Sequence, residues 1–213
     1  MRLQRSTGLV GHWKFNEKSG ITANDSSRYR NTGTLIGGPI WSDKGIKFDG
    51  VDDYVDAGNA ASLNITNAIT VSTWVKPKMS AGLFQHIVSK FGDTNQNGYL
   101  LQYQASDQKI YFVLRNIAVY NVGTNSAVSE NWYHVVGVFD GTNLNIYLNG
   151  IKQAATTTGS IGNHSAIPLK IGMMGESNIN PFNGSINEVR IYNRALSAAE
   201  IKRNYEATKH NYI

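Results

Sequence analysis

The sequence predicts an all-β fold: an antiparallel β-sandwich with one short C-terminal helix. Three observations predict it. Apolar and polar residues alternate with period two in about a dozen short runs, the spacing of strands buried on one face. Glycine is frequent (21 residues) and proline scarce (4) in a chain that is 41% hydrophobic and 16% charged, a composition suited to short strands and tight turns. Asp140-Gly141-Thr142-Asn143 separates two of the clearest runs as a hairpin turn. At 213 residues, residues 1–213 form one expected domain, large enough to bury about 70% of its unfolded surface without a staple.

The elements follow in order. Strands are expected at Leu9–Phe15, Ile46–Phe48 and Tyr54–Asp56. The run Ile69–Val75 places Ile69, Val71 and Val75 on one face and Trp74 on the other. His86–Ser89 and Tyr99–Gln104 come next, and Tyr99 and Tyr103 share a face. Lys109–Arg115 points Ile110, Phe112 and Leu114 inward and leaves Tyr111 and Arg115 outside. Tyr120 falls in a loop-like stretch between Val119 and Asn121. Tyr133–Phe139 and Leu144–Leu148 form the hairpin, with Tyr147 on the non-core side; Leu169–Met173 and Ile186–Tyr192 complete the strands. The helix lies inside Ser197–Glu206, where Ser197-Ala198-Ala199-Glu200 has the capping-box form and Ile201 and Tyr205 follow at helical spacing.

Composition removes several function classes. The net charge is +5 and the pI about 9.3, but Lys and Arg are scattered and no basic cluster has interleaved aromatics, so nucleic acid is not an expected partner. The absence of cysteine excludes disulfides and thiolate metal sites. No segment approaches a membrane span, and the opening MRLQRSTGLVGHW has no signal-peptide apolar stretch. A soluble chain without membrane insertion is expected. It is compatible with the cytoplasm, a virion, or the outside of a cell as part of a larger protein.

A set of phrases carries a family resemblance. They are Gly11-His12-Trp13-Lys14-Phe15-Asn16-Glu17, Asp25-Ser26-Ser27, Phe48-Asp49-Gly50-Val51-Asp52-Asp53-Tyr54-Val55 and Val71-Ser72-Thr73-Trp74-Val75-Lys76-Pro77. Trp132-Tyr133-His134 leading to Tyr147-Leu148-Asn149-Gly150, and Gly184 through Ser197, continue the series. Over roughly residues 9–206 the chain resembles the laminin-G-like jelly-roll domains of the concanavalin-A-like lectin/glucanase superfamily. The resemblance implies two antiparallel sheets, frequently with a calcium ion. It does not select a function, because the fold hosts lectins, carbohydrate-binding modules, adhesion domains and glycanases.

Catalysis is not expected. Retaining glycosidases need two carboxylates about 5–5.5 Å apart. On one strand that requires acids at i and i+2 or i+4. The six Glu residues are isolated from one another, and most of the nine Asp residues fall in turns. The Glu-x-Asp-x-x-Glu phrase of laminarinase-type relatives is missing. Gln85-His86-Ile87 only partly matches the Gln-x-His of alginate-lyase relatives, and the partner phrases are absent.

For calcium, the resemblance makes the first strand and the last long strand antiparallel neighbours. That juxtaposes Asp25, Asn31, Asn187 and Glu188 as side-chain ligands, although relatives usually carry Asp at position 187. The competing reading makes Asp25-Ser26-Ser27 an Asx-turn and pairs Glu188 with an arginine. Asp49, Asp52 and Asp53 fail the EF-hand spacing.

For a ligand, rings that stack on sugars are sought beside planar polar groups. Trp74, Tyr103, Tyr111, Arg115 and Tyr120 are the candidates, and Arg115 would favour acidic sugars through its bidentate fork. The expected function is a non-catalytic, lectin-like module binding a polysaccharide or glycan. The alternative is a structural or adhesion domain that binds protein or assembles in a virion or surface structure.

Overall fold

The computed structural model describes residues 7–79, 84–94 and 96–213, without the side chains of 154 and 155. Among the described residues there are sixteen strands and one α-helix. In chain order the first strands are β1 (Leu9–Trp13), β2 (Thr22–Ala23), β3 (Gly33–Ile36), β4 (Ile40–Ser42), β5 (Gly45–Asp49) and β6 (Tyr54–Asp56). The long central strands are β7 (Ile69–Pro77), β8 (Phe84–Gly92), β9 (Asn97–Gln104), β10 (Lys109–Asn116), β11 (Ala118–Gly123) and β12 (Tyr133–Phe139). The rest are β13 (Asn143–Leu148), β14 (Ile151–Thr158), β15 (Lys170–Ile171) and β16 (Asn183–Tyr192), followed by α1 (Ala198–Thr208).

The strands form two eight-stranded antiparallel sheets. One runs β14-β13-β12-β7-β16-β5-β4, with β1 also paired to β16; the other runs β11-β10-β9-β8-β15-β6-β3-β2. The expected pairing of first and last strands is present, with His12 opposite Arg190 and Trp13 opposite Val189. The inward residues of both sheets make one core. Val71, Val75, Val135 and Ile146 from one sheet meet Leu101, Ile110, Phe112 and Leu114 from the other. This is the inside-and-outside alternation that strand geometry imposes.

The outer faces differ. On the first sheet Val136, Val138, Tyr147 and Tyr192 form an apolar patch that α1 seals with Ile201, helped by Leu196. The helix starts there because Ser197 and Glu200 cap each other's orphan N–H groups. On the second sheet Phe91, Leu100, Val113 and Met174 form a smaller patch, with Tyr111 against it. No helix covers this patch among the described residues.

Candidate functional site

The uncovered patch floors a groove of about 560 Å³ across β8, β9, β10 and β11. Strand register builds it row by row. His86, Gln102, Tyr111 and Gly123 lie side by side in one row. Ser89, Leu100, Val113 and Asn121 make the next, and Phe91, Gly98, Arg115 and Val119 the third. With strands about 4.8 Å apart and a rise of about 3.3 Å per residue, Tyr111 and Arg115 stand about 13 Å apart along β10.

Two glycines shape the rows. A Cβ on Gly123 would lie 2.5 Å from the Tyr111 ring, so its absence lets that ring lie across β11. Gly98, at φ +119, lies between Arg115 and Phe91 in its row, where a Cβ would run into the Lys90 carbonyl, and the guanidinium sits 5.3 Å from the Phe91 ring centre. Tyr111 is also anchored by its hydroxyl, which donates to Asp107 Oδ2 at 2.6 Å. That hydrogen bond, with burial, pushes the phenol up to about 12. Arg115 Nη1 donates to Gln96 Oε1 at 2.9 Å. Both side chains are therefore held in place before any ligand arrives.

His86 lies on the groove floor with 2% exposure. A register shift between His86 and Val88 turns both Ile87 and Val88 into the core and keeps His86 on the outer face. Burial pushes its pKa down to about 3, and Nδ1 has no hydrogen-bond partner. Burial would raise the Asp93 carboxyl, but its hydrogen bonds, beginning with that from Ser177, hold it below the usual range. Among the described residues Asp93 is the one carboxylate lining the groove.

Tyr111 and Arg115 thus come together as the period-two pattern expects. Three other candidates do not join them. Trp74 does point away from the core, but from the other sheet, and α1 and the turn after it roof that face. Trp74 is 1% exposed, stacks on Tyr212 at 4.0 Å and donates from Nε1 to Thr208 Oγ1. Tyr103 is paired with Ile110, an inward residue, so it enters the core at 2% exposure. Tyr120 lies in β11 rather than a loop. Its register opposite Leu114 turns it to the core side, where it packs beside Gly159. The strand escapes sequence reading because Ala118–Gly123 lacks clean alternation. Sequence reasoning missed His86, Gln102 and Asn121 because a polar side chain on an outer face gives no local signal until register groups it with others.

Three of the four residues considered for calcium, Asp25, Asn31 and Glu188, face nitrogen or hydroxyl donors. Asp25 Oδ1 accepts the backbone N–H groups of His12 (2.7 Å) and Ser27 (2.8 Å). Its Oδ2 accepts Ser27 Oγ (2.8 Å) and the Asn31 N–H (2.7 Å). Four donors match the roughly four lone-pair sites of a carboxylate. Asn31 spends its side-chain N–H group on Val10 O, with Ser62 alongside. Glu188, at the bulge in β16 with φ +50, bonds Arg190 and lies 3.3 Å from His12 Nε2. Burial would raise its pKa, but His12 and Arg190 hold it low. Asn187 Oδ1 is buried without a partner. These residues do not fit a calcium cage, which requires several free oxygens turned to one point. Asp49, Asp52 and Asp53 do lie within 4.8 Å of one another. They serve their own turn, with Asp49 accepting the Val51 N–H and Asp53 the Asp49 N–H.

Two antiparallel sheets around one core, one outer face roofed by a helix and the other open as a groove, define a laminin-G-like jelly roll. The chain belongs to the concanavalin A-like lectin/glucanases superfamily, whose laminin-G family matches residues 49–202. No curated protein sequence matches it. Among solved structures, domain 4 of AbnA, an extracellular arabinanase from Geobacillus stearothermophilus, in complex with arabinotriose, is similar at TM-score 0.73 and 20% identity. That alignment covers 92% of this chain and 97% of that one. The binding domain of botulinum neurotoxin serotype G aligns at TM-score 0.72 and 16% identity, covering 94% of this chain and 51% of that one. The serotype D ligand-binding domain, in complex with N-acetylneuraminic acid, aligns at TM-score 0.72 and 14% identity, covering 94% and 51%. The chain therefore spans about half the length of the neurotoxin domains. At these identities the likeness is one of fold. No helix among the described residues is long and apolar enough to cross a membrane.

Proposed function

We propose that the chain is a non-catalytic carbohydrate-binding module whose ligand lies across the outer face of β8–β11, between Tyr111 and Arg115. The observation that carries this reading is the groove itself. It is an open apolar floor with a clamped aromatic ring at one end, a clamped guanidinium at the other, and amide side chains between them. Small-ligand sites combine apolar contact area with a few fixed polar groups in this way. The neighbours in complex with arabinotriose and with N-acetylneuraminic acid support a glycan as the ligand class. A single groove carboxylate argues against glycoside hydrolysis, which uses a pair. Calcium has no part in this reading, because the chain's own donors fill the oxygens of Asp25.

The test is affinity electrophoresis or calorimetry against a polysaccharide panel. Tyr111→Ala and Arg115→Ala should each weaken binding about tenfold or more, equivalent to about 1.4 kcal/mol, while stability changes by less than about 1 kcal/mol. Gly123→Ala should weaken binding too, since the new Cβ displaces the Tyr111 ring. A confirmed glycan bound equally well by all three variants would place the site elsewhere.

A further inference from the structure

The groove carries almost no net charge. Among the described residues that line it, Arg115 is the one permanent cation and Asp93 the one carboxylate. Arg115 donates one of its N–H groups to Gln96 and turns its face toward Phe91. A carboxylate or sulfate entering the groove would meet a single guanidinium whose attraction is offset by the like charge of Asp93. Burial keeps His86 neutral through the whole physiological range, so it adds no cation.

The groups that remain are neutral and can both donate and accept. Gln102, Asn121 and Asn180 line the groove, and their side chains make no hydrogen bond among the described residues. His86 lies beside Gln102 in the same row but is enclosed, and its Nδ1 is out of reach of a ligand in the groove. The reading therefore falls to the amides. An amide offers N–H donors and a carbonyl acceptor, and a sugar hydroxyl, which donates and accepts at once, satisfies both. Leu100, Val113 and Met174 supply the apolar surface for the sugar's C–H face.

We propose that the groove selects an uncharged glycan, with Gln102 and Asn121 as the specificity-determining residues that read its hydroxyl groups. This rests on the reading of the groove as a glycan site.

The experiment uses the full chain against neutral polymers (arabinan, xylan, laminarin) and acidic ones (polygalacturonate, alginate), at about 0.05 and 0.5 M NaCl, where screening of exposed charges differs strongly. The expected result is binding to at least one neutral polymer, with Kd changing less than about twofold across that salt range, and none to the acidic pair. Gln102→Ala and Asn121→Ala should each weaken it about tenfold, the loss of one good hydrogen bond. Both side chains lie on the outer face, so neither change removes a core contact. Binding confined to the acidic polymers and falling several-fold with salt would overturn neutral selection while leaving a glycan module. Neutral binding indifferent to both substitutions would overturn the role of Gln102 and Asn121. No binding to either class would overturn the glycan reading and this inference with it.

Discussion

Asp25 is a buried carboxylate that ties together three pieces of chain. It holds His12 on β1, Ser27 in its own turn, and Asn31 beyond it, through four hydrogen bonds of 2.7–2.8 Å. Its truncation leaves several donors without a partner, and each orphaned buried donor costs about 1–3 kcal/mol. Asp25→Ala is expected to lower stability by about 3–4 kcal/mol, at the upper end for point substitutions, and by the same amount in saturating calcium and in EDTA. The contrary result would be a wild-type melting curve that drops in EDTA while the variant's does not. That would make Asp25 an ion ligand. The local half of this arrangement is legible in the sequence, since Asp-x-Ser forms an Asx-turn with its own backbone. The donors from His12 and Asn31 are not legible, because they lie 13 and 6 positions away and only the packed sheet brings them in. The same separation divides the ligand face. Alternation within β10 is enough to put Tyr111 and Arg115 outside. It cannot show that β9 turns Tyr103 inward, because that depends on register against β10.

At the scale of elements, α1 was readable from its start. The capping box is a local device, and Ser197 and Glu200 hold each other's backbone N–H groups as the spacing requires. What the helix covers was not readable. Trp74 has the direction expected from β7, yet Tyr205 and Tyr212 lie over it, with ring centres at 5.8 and 4.0 Å. An aromatic on an outer strand face is a ligand platform or a docking site for another element, and only the tertiary arrangement separates the two. Tyr212→Ala should uncover Trp74. The expected outcome is a red shift of tryptophan emission and a loss of about 2 kcal/mol, from lost stacking and burial. The shift should be absent when Trp74→Phe is already present. An unmoved emission maximum in Tyr212→Ala would show that Tyr212 is not what shields the indole.

Across the whole molecule the two sheets share one core but use their outer faces differently, and the buried histidines follow that division. His134 lies on the helix-covered face, bonded through Nε2 to Ser72 Oγ at 3.0 Å, while His86 floors the groove. Burial pushes both down to about 3, and burial also lowers His164. An unfolded histidine titrates near 6.5. Between these limits the unfolded chain binds protons that the folded chain refuses, so stability must fall as pH falls. The sign is that of a base whose folded pKa is depressed: the unfavourable contribution is absent above about pH 6.5 and grows on acidification until the folded sites themselves titrate. Each such histidine contributes at most about 1.4 kcal/mol per pH unit. His86 and His134 together should then reduce stability by about 2–4 kcal/mol between pH 7 and pH 5, a window above the range where carboxylates dominate. Urea unfolding at the two pH values measures this directly, and His134→Phe should remove part of the slope. Equal stability at pH 7 and pH 5 would mean that the folded protein accepts protons at these histidines, which would require water to reach rings that the packing encloses.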